Sequence, residues 1–112
     1  MTIKERSFSH GIILDIEGDL TYANRTAFKA AVEKATQARC KHLILNFEKV
    51  RFVDSAGLGL LVISAQGLKR VQCQISLLKP QIYVREVMSL ANIPAMIPIY
   101  EREEDALTAR AA

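Results

Sequence analysis

In GIILDIEGDL, residues 11–20, apolar and polar positions alternate. Ile12, Leu14 and Ile16 share one face, and Asp15 and Glu17 share the other with Ile13. That period of two predicts a half-buried strand, ended by Gly18-Asp19. TIKERSF before it alternates more weakly and is read as a first strand pairing with it. In NRTAFKAAVEKATQARC the period changes. Phe28, Ala31, Val32 and Ala35 recur at helical spacing, Lys29, Glu33, Lys34 and Gln37 fall on the solvent side, and Asn24 is the expected N-cap. HLILNF is nearly continuous in apolar residues, as in a central strand covered on both faces. EKVRFV connects it to Asp54-Ser55. Leu58, Leu61, Val62, Ala65 and Leu68 then follow helical spacing up to Lys69-Arg70, whose charges suit a helix C-terminus.

The remainder repeats the alternation of elements. CQISLL reads as a strand stopped by Pro80, and QIYVREVMSLA as a helix through Val84, Val87, Met88 and Ala91. AMIPIY reads as a short strand that Pro98 confines to an edge, and REEDALTARAA as a final helix with its acids first. The predicted order is β-β-α-β-α-β-α-β-α. This is an α/β domain with a mixed, mostly parallel sheet of four to five strands flanked by about four helices, spanning residues 1–112 as one unit. Leu43, Leu45, Phe47, Leu58, Leu61, Val62 and Ile75 are expected to meet in the core.

Composition narrows the function. The chain has 112 residues, half of them hydrophobic, and a net charge of +3. That is enough chain to bury a core without disulfides or metals. The bases are scattered rather than striped, so no nucleic-acid surface is expected. Cys40 and Cys73 are too far apart for a C-x-x-C motif, and neither His10 nor His42 has ligand-like spacing to them. No metal and no cofactor is expected, and the two cysteines read as reduced thiols, with Cys73 in the core. The first residues, MTIKERSFSHG, lack the apolar run of a signal peptide, and the longest apolar stretch, LGLLVISA, is far short of the ~20 residues of a membrane span. A cytoplasmic chain without membrane insertion is expected.

The junction FVDSAGLGLL concentrates the candidate chemistry. Asp54 and Ser55 stand where a strand hands over to a helix, and Asp and Ser are both good helix caps. A catalytic serine would need a positioned base and an oxyanion hole. The stretch is not G-x-S-x-G, and His42 lies at the far end of the preceding strand, so a hydrolase is disfavoured and no enzyme is expected. Gly57 and Gly59 do not extend into a phosphate-binding loop pattern. A modified serine fits better. At a helix N-terminus Ser55 is exposed on a rigid platform, and a phosphate there would meet free N–H groups and the positive end of the dipole.

FVDSAGLGLL after an apolar strand, with IEGDLTYANRTAF upstream, resembles the STAS domain of bacterial anti-sigma factor antagonists. The family pattern is roughly G-E-L-D before the first helix and D-S-[SA]-G-L-G at the second. Gly18, Asp19 and Leu20 match the first; Asp54, Ser55, Ala56, Gly57, Leu58 and Gly59 match the second. The resemblance implies a partner-switching regulator of transcription. Its partner would be a serine kinase, an anti-sigma factor with a histidine-kinase-like ATPase fold, that phosphorylates Ser55 and is thereby released. A PP2C-type phosphatase would restore the free serine. Asp19, Leu20, Thr21, Tyr22 and residues 54–59 would form the partner-binding surface, with both motifs at one end of the sheet. Thr21 departs from the family, which often has an acid there. The alternatives are a non-phosphorylated STAS subunit of an ABC-type lipid transport system and a small-ligand or nucleotide-binding STAS module.

Overall fold

The computed structural model describes residues 1–109, so the last three residues of the predicted C-terminal helix lie outside the described residues. Two strands, β1 (Thr2–Phe8) and β2 (Gly11–Glu17), form a hairpin. A 3-10 turn at Tyr22–Asn24 leads into α1 (Arg25–Gln37), and then come β3 (His42–Lys49), α2 (Ser55–Arg70), β4 (Gln74–Leu78) and α3 (Ile82–Leu90). A second 3-10 turn at Ile93–Ala95 precedes β5 (Ile99–Tyr100) and α4 (Glu103–Thr108). Spatial order follows chain order, β1-β2-β3-β4-β5. β1 is antiparallel to β2; every other pairing is parallel. Each parallel step therefore needs a crossover, and α1, α2 and α3 supply the three. The fold is the predicted α/β domain with a mostly parallel mixed sheet.

Strand alternation sorts the interior into two clusters. Leu14, Ile16, Leu43, Leu45, Phe47, Ile75 and Leu77 face one way and pack with Phe28 and Val32 of α1, Leu60, Leu61 and Leu68 of α2, and Val84 and Met88 of α3. The opposite face buries Ile13, Ile44 and Leu78 beneath Ala106 of α4. β2 is thus buried on both sides rather than half-buried: the helix that covers Ile13 comes from the far end of the chain. Arg6 of β1 fixes that helix in place. Its guanidinium reaches Asp15 of β2 (Nη2–Oδ1 2.9 Å) and Glu103 of α4 (Nη2–Oε1 2.8 Å). The contact with Arg6 holds the carboxyls of Asp15 and Glu103 below the usual carboxylate range.

Three local expectations are corrected. Leu58 and Val62 are only partly buried, and Leu60 enters the core instead, because the buried stripe of α2 runs through Gly57, Leu60, Leu61, Ala65 and Leu68. Asn24 precedes α1 but makes no cap. Its Nδ2 donates to the Asp19 carbonyl at 2.6 Å, which braces the turn after β2. In AMIPIY only Ile99 and Tyr100 pair with β4, since residues 93–95 coil into a 3-10 turn before Pro98.

His42 opens β3 with 1% of its surface exposed, and its Nε2 lies 2.7 Å from the hydroxyl of Ser76 on β4. Ser76 is fully buried. Burial, with a smaller contribution from His10, pulls the His42 pKa down to about 4. Between that value and the ordinary 6.5 the unfolded chain binds a proton that the folded chain does not, so stability falls as pH falls through this window. We expect urea unfolding to show a loss of as much as about 2 kcal/mol between pH 7 and pH 4.5, and His42→Gln to remove most of that slope above pH 5. An equal slope in the variant would assign the loss to other groups.

Candidate functional site

The turn after β2 and the segment after β3 meet because both strands run the same way. Gly18, at φ +117°, turns the chain out of β2 in a conformation that side chains disfavour. Leu20 then lies alongside Val53 as an isolated parallel bridge. The Leu20 amide donates to the Phe52 carbonyl (2.9 Å), and the Asp54 amide donates to the Leu20 carbonyl (3.2 Å). The two motifs are therefore stitched together by backbone hydrogen bonds at one end of the sheet.

Asp54 completes the join. With φ −90° and ψ −178° it is the N-cap of α2, and its Oδ1 accepts from the Gly57 amide at 2.7 Å. Its Oδ2 accepts from the Tyr22 amide at 3.1 Å. One carboxylate thus caps a helix and anchors the opposite loop. Ser55, the next residue, is exposed as the first residue of α2. The Leu58 amide closes onto the Asp54 carbonyl. Among the described residues no protein acceptor meets the amides of Ser55 and Ala56, so two donors of the first turn stay open beside the Ser55 hydroxyl.

The two glycines of the motif differ in kind. A Cβ on Gly57 would stand 2.2 Å from the Leu20 carbonyl oxygen and 3.0 Å from a Val53 methyl. Only glycine allows the helix to approach the turn this closely. A Cβ on Gly59 would meet nothing within 4 Å. The open space over Gly59 continues the exposed side of α2, where Ser55, Gly59 and Ile63 recur at four-residue spacing.

The predicted site residues separate into a surface and its support. Tyr22 and Ser55 are exposed; Asp19, Thr21, Asp54, Ala56, Leu58 and Gly59 are half-buried. Leu20 and Gly57 are buried, so they shape the surface from beneath and do not present a side chain to a partner. Arg25 holds the Tyr22 ring in place: its guanidinium lies 3.7 Å over the ring centroid and donates to the Tyr22 carbonyl at 2.7 Å. Phe52, 42% exposed, and Ile63, 64% exposed, border the same region, and sequence reading missed both. Ile63 was legible as an apolar residue off the buried helical stripe. Ile82 and Tyr83 are exposed at the start of α3, which follows β4 at this same end of the sheet.

The other end of the sheet is different. A cavity of about 1110 Å³ opens there, with His10, Lys41, Lys69, Gln72 and Cys73 in its wall. Among the described residues, no group of three or more His, Cys, Asp or Glu is placed to hold a metal ion, and no helix is long and apolar enough to cross a membrane.

A sequence model of the STAS domain matches residues 3–106, and the chain belongs to the STAS domain family. The anti-sigma F factor antagonist of Paenibacillus polymyxa is 25% identical over 103 residues, covering 87% of this chain and 84% of that protein. The solved structure of the anti-sigma factor antagonist SpoIIAA in its unphosphorylated form superposes with a TM-score of 0.79 at 23% identity, over 95% of this chain and 93% of that one. The phosphorylated form of the Bacillus cell fate determinant SpoIIAA superposes with a TM-score of 0.73 at 22% identity, over 97% of this chain and all of that one.

The geometry predicts opposite outcomes at the two glycines. Gly57→Ala is expected to cost about 3 kcal/mol or more, because the clash is with backbone that cannot move aside. Gly59→Ala is expected to leave stability unchanged or raise it by up to about 1 kcal/mol, the helix preference of alanine. Chemical denaturation of the two variants checks this; equal losses would contradict the close approach at Gly57.

Proposed function

We propose that the chain is an anti-sigma factor antagonist switched by phosphorylation at Ser55. In this reading the free Ser55 form binds an anti-sigma factor that is also a serine kinase of histidine-kinase-like ATPase fold. The kinase transfers the γ-phosphoryl group of ATP to Ser55 Oγ, and the complex dissociates. A PP2C-type phosphatase hydrolyses the phosphoserine and restores the binding form. The chain is a substrate and a ligand in this cycle and performs no catalysis itself.

The observation that carries the reading is the exposed Ser55 hydroxyl at the first position of α2, on a surface whose two halves Asp54 ties together. A phosphate on Ser55 adds about −1.5 to −2 charges beside Asp54. The Ser55 and Ala56 amides and the helix dipole favour that charge, so the fold tolerates it. A partner surface that had packed against a neutral hydroxyl, the Gly59 opening and the exposed Tyr22, Phe52 and Ile63 side chains does not. The switch is therefore electrostatic and local, and it requires no refolding. The family membership and the relative from Paenibacillus polymyxa support the same reading.

Partner contact is assigned to Thr21, Tyr22, Ser55, Ala56, Leu58 and Gly59 with the outer side of α2. Asp19 and Asp54 hold the loops that present them. Thr21, where the family often has an acid, leaves this surface one negative charge poorer near Ser55 and so favours a partner of different charge pattern.

Ser55→Ala is expected to fold and to bind the kinase constitutively, since the cap is Asp54 and not Ser55. Ser55→Asp is expected to bind at least about tenfold more weakly, a loss of about 1.4 kcal/mol, with a melting temperature close to that of Ser55→Ala. Incubation with the kinase and ATP, followed by mass spectrometry and pull-down, tests the switch. Phosphate on another residue, or equal binding of both forms, would overturn it.

A further inference from the structure

Cys40 and Cys73 are separated by a helix and a strand, yet their sulfurs lie 3.5 Å apart. The fold explains the meeting. α1 ends and Arg39 takes a left-handed conformation (φ 57°); Cys40 follows and β3 begins at His42. α2 ends and Gln72 takes the same conformation (φ 59°); Cys73 follows and β4 begins at Gln74. His42 and Gln74 are partners in the parallel register, and the Gln74 amide donates to the Lys41 carbonyl at 2.9 Å. The two helix-to-strand joints thus lie side by side, with Cys40 two residues ahead of His42 and Cys73 one residue ahead of Gln74.

The two thiols are not alike. Cys40 is half-exposed; Cys73 is buried, 5% exposed, and borders the cavity at this end of the sheet. Contact with the Cys73 thiol, which can donate its S–H, holds the Cys40 pKa below that of an ordinary cysteine, against burial and the Glu5 carboxylate. The same contact, together with burial, pushes Cys73 up. The reachable thiol, Cys40, is therefore the one that an oxidant in solution meets first, with the Cys73 sulfur in contact behind it.

The geometry points to Cys40 as an oxidation site and to Cys73 as its resolving thiol, so that a hydroperoxide converts the pair into an internal disulfide. The Cys40 thiolate attacks the outer oxygen of the peroxide, the O–O bond breaks, and hydroxide leaves; the sulfur, oxidised by two electrons, becomes a sulfenic acid. Cys73 gives its proton to hydroxide, and its sulfur attacks Cys40 as the S–O bond breaks; the oxygen departs as hydroxide and takes up the proton that Cys40 released on ionising, giving water. With hydrogen peroxide the sum is two thiols and one peroxide converted to one disulfide and two waters. The sulfurs need to close by only ~1.5 Å to reach bonding distance. The product staples the joint before β3 to the joint before β4, at the end of the sheet away from Ser55. Pairs of this kind persist as thiols in a reducing compartment and respond to oxidant.

The full chain treated with hydrogen peroxide, then alkylated and mapped by mass spectrometry, tests this. The expected product is a monomer that has lost two hydrogens, carries a Cys40–Cys73 cross-link reversed by dithiothreitol, and melts roughly 5–15 °C higher. Cys73→Ala should stop at a Cys40 sulfenic acid trapped by dimedone, and Cys40→Ala should leave Cys73 unreacted at the same exposure. Cross-linked dimers as the main product, oxidation of Cys73 ahead of Cys40, or two unreacted thiols would overturn the assignment.

Discussion

The Asp54 carboxylate accepts from the Gly57 amide on one side and the Tyr22 amide on the other. Everything that makes Ser55 a usable position depends on those two bonds. The first starts α2 at Ser55, so the hydroxyl stands at the first helical position. The second draws the loop after β2 against the helix, so that Tyr22 and Ser55 belong to one surface. Gly57 is the steric condition for both, because any side chain there would strike the Leu20 carbonyl. A buried Leu20 and a backbone bridge to Val53 then continue the join into the sheet. The site is rigid because it is an extension of the sheet edge-on, not a free loop.

In the proposed switch, that construction lets the charge change without a change of conformation. The cap satisfies Gly57 and leaves the Ser55 and Ala56 amides open, so the protein side of a phosphate is already provided for. If Ser55 is phosphorylated as proposed, the cost falls on whatever covers the surface from outside. Partner affinity and fold stability are thereby separated: one depends on the exposed charge, the other on the core beneath.

Much of the architecture was legible in the residues. The period-two pattern of Ile12, Leu14 and Ile16 and the helical spacing of Phe28, Val32 and Ala35 each reported the element they form, because each set is buried against one face, and the apolar run HLILNF reported a strand because both of its faces are covered. The D-S-A-G-L-G stretch likewise announced a strand-to-helix junction. Features set by partners distant in sequence were not legible. Ile13 looked like an outward apolar residue until α4, some 90 residues later, covered it. Asn24 has the right type for a cap, but the Asp19 carbonyl competes for its side chain. Leu60 is more deeply buried than Leu58 because packing fixes the helix rotation, which spacing alone leaves free by part of a turn. Cys40 and Cys73 have no motif spacing at all. Their proximity comes from parallel register, and only the recurrence of a cysteine just before two adjacent strands hints at it.

The central claim is that phosphate on Ser55 changes the surface and not the fold. Backbone amide NMR spectra of the free and Ser55-phosphorylated chain test it most directly. The account predicts shifts concentrated at residues 18–25 and 52–63, led by the Ser55 and Ala56 amides, with the amides of the β3 and β4 core unmoved. Shifts spread through His42–Lys49 and Gln74–Leu78, or Ser55 and Ala56 amides indifferent to the phosphate, would contradict it.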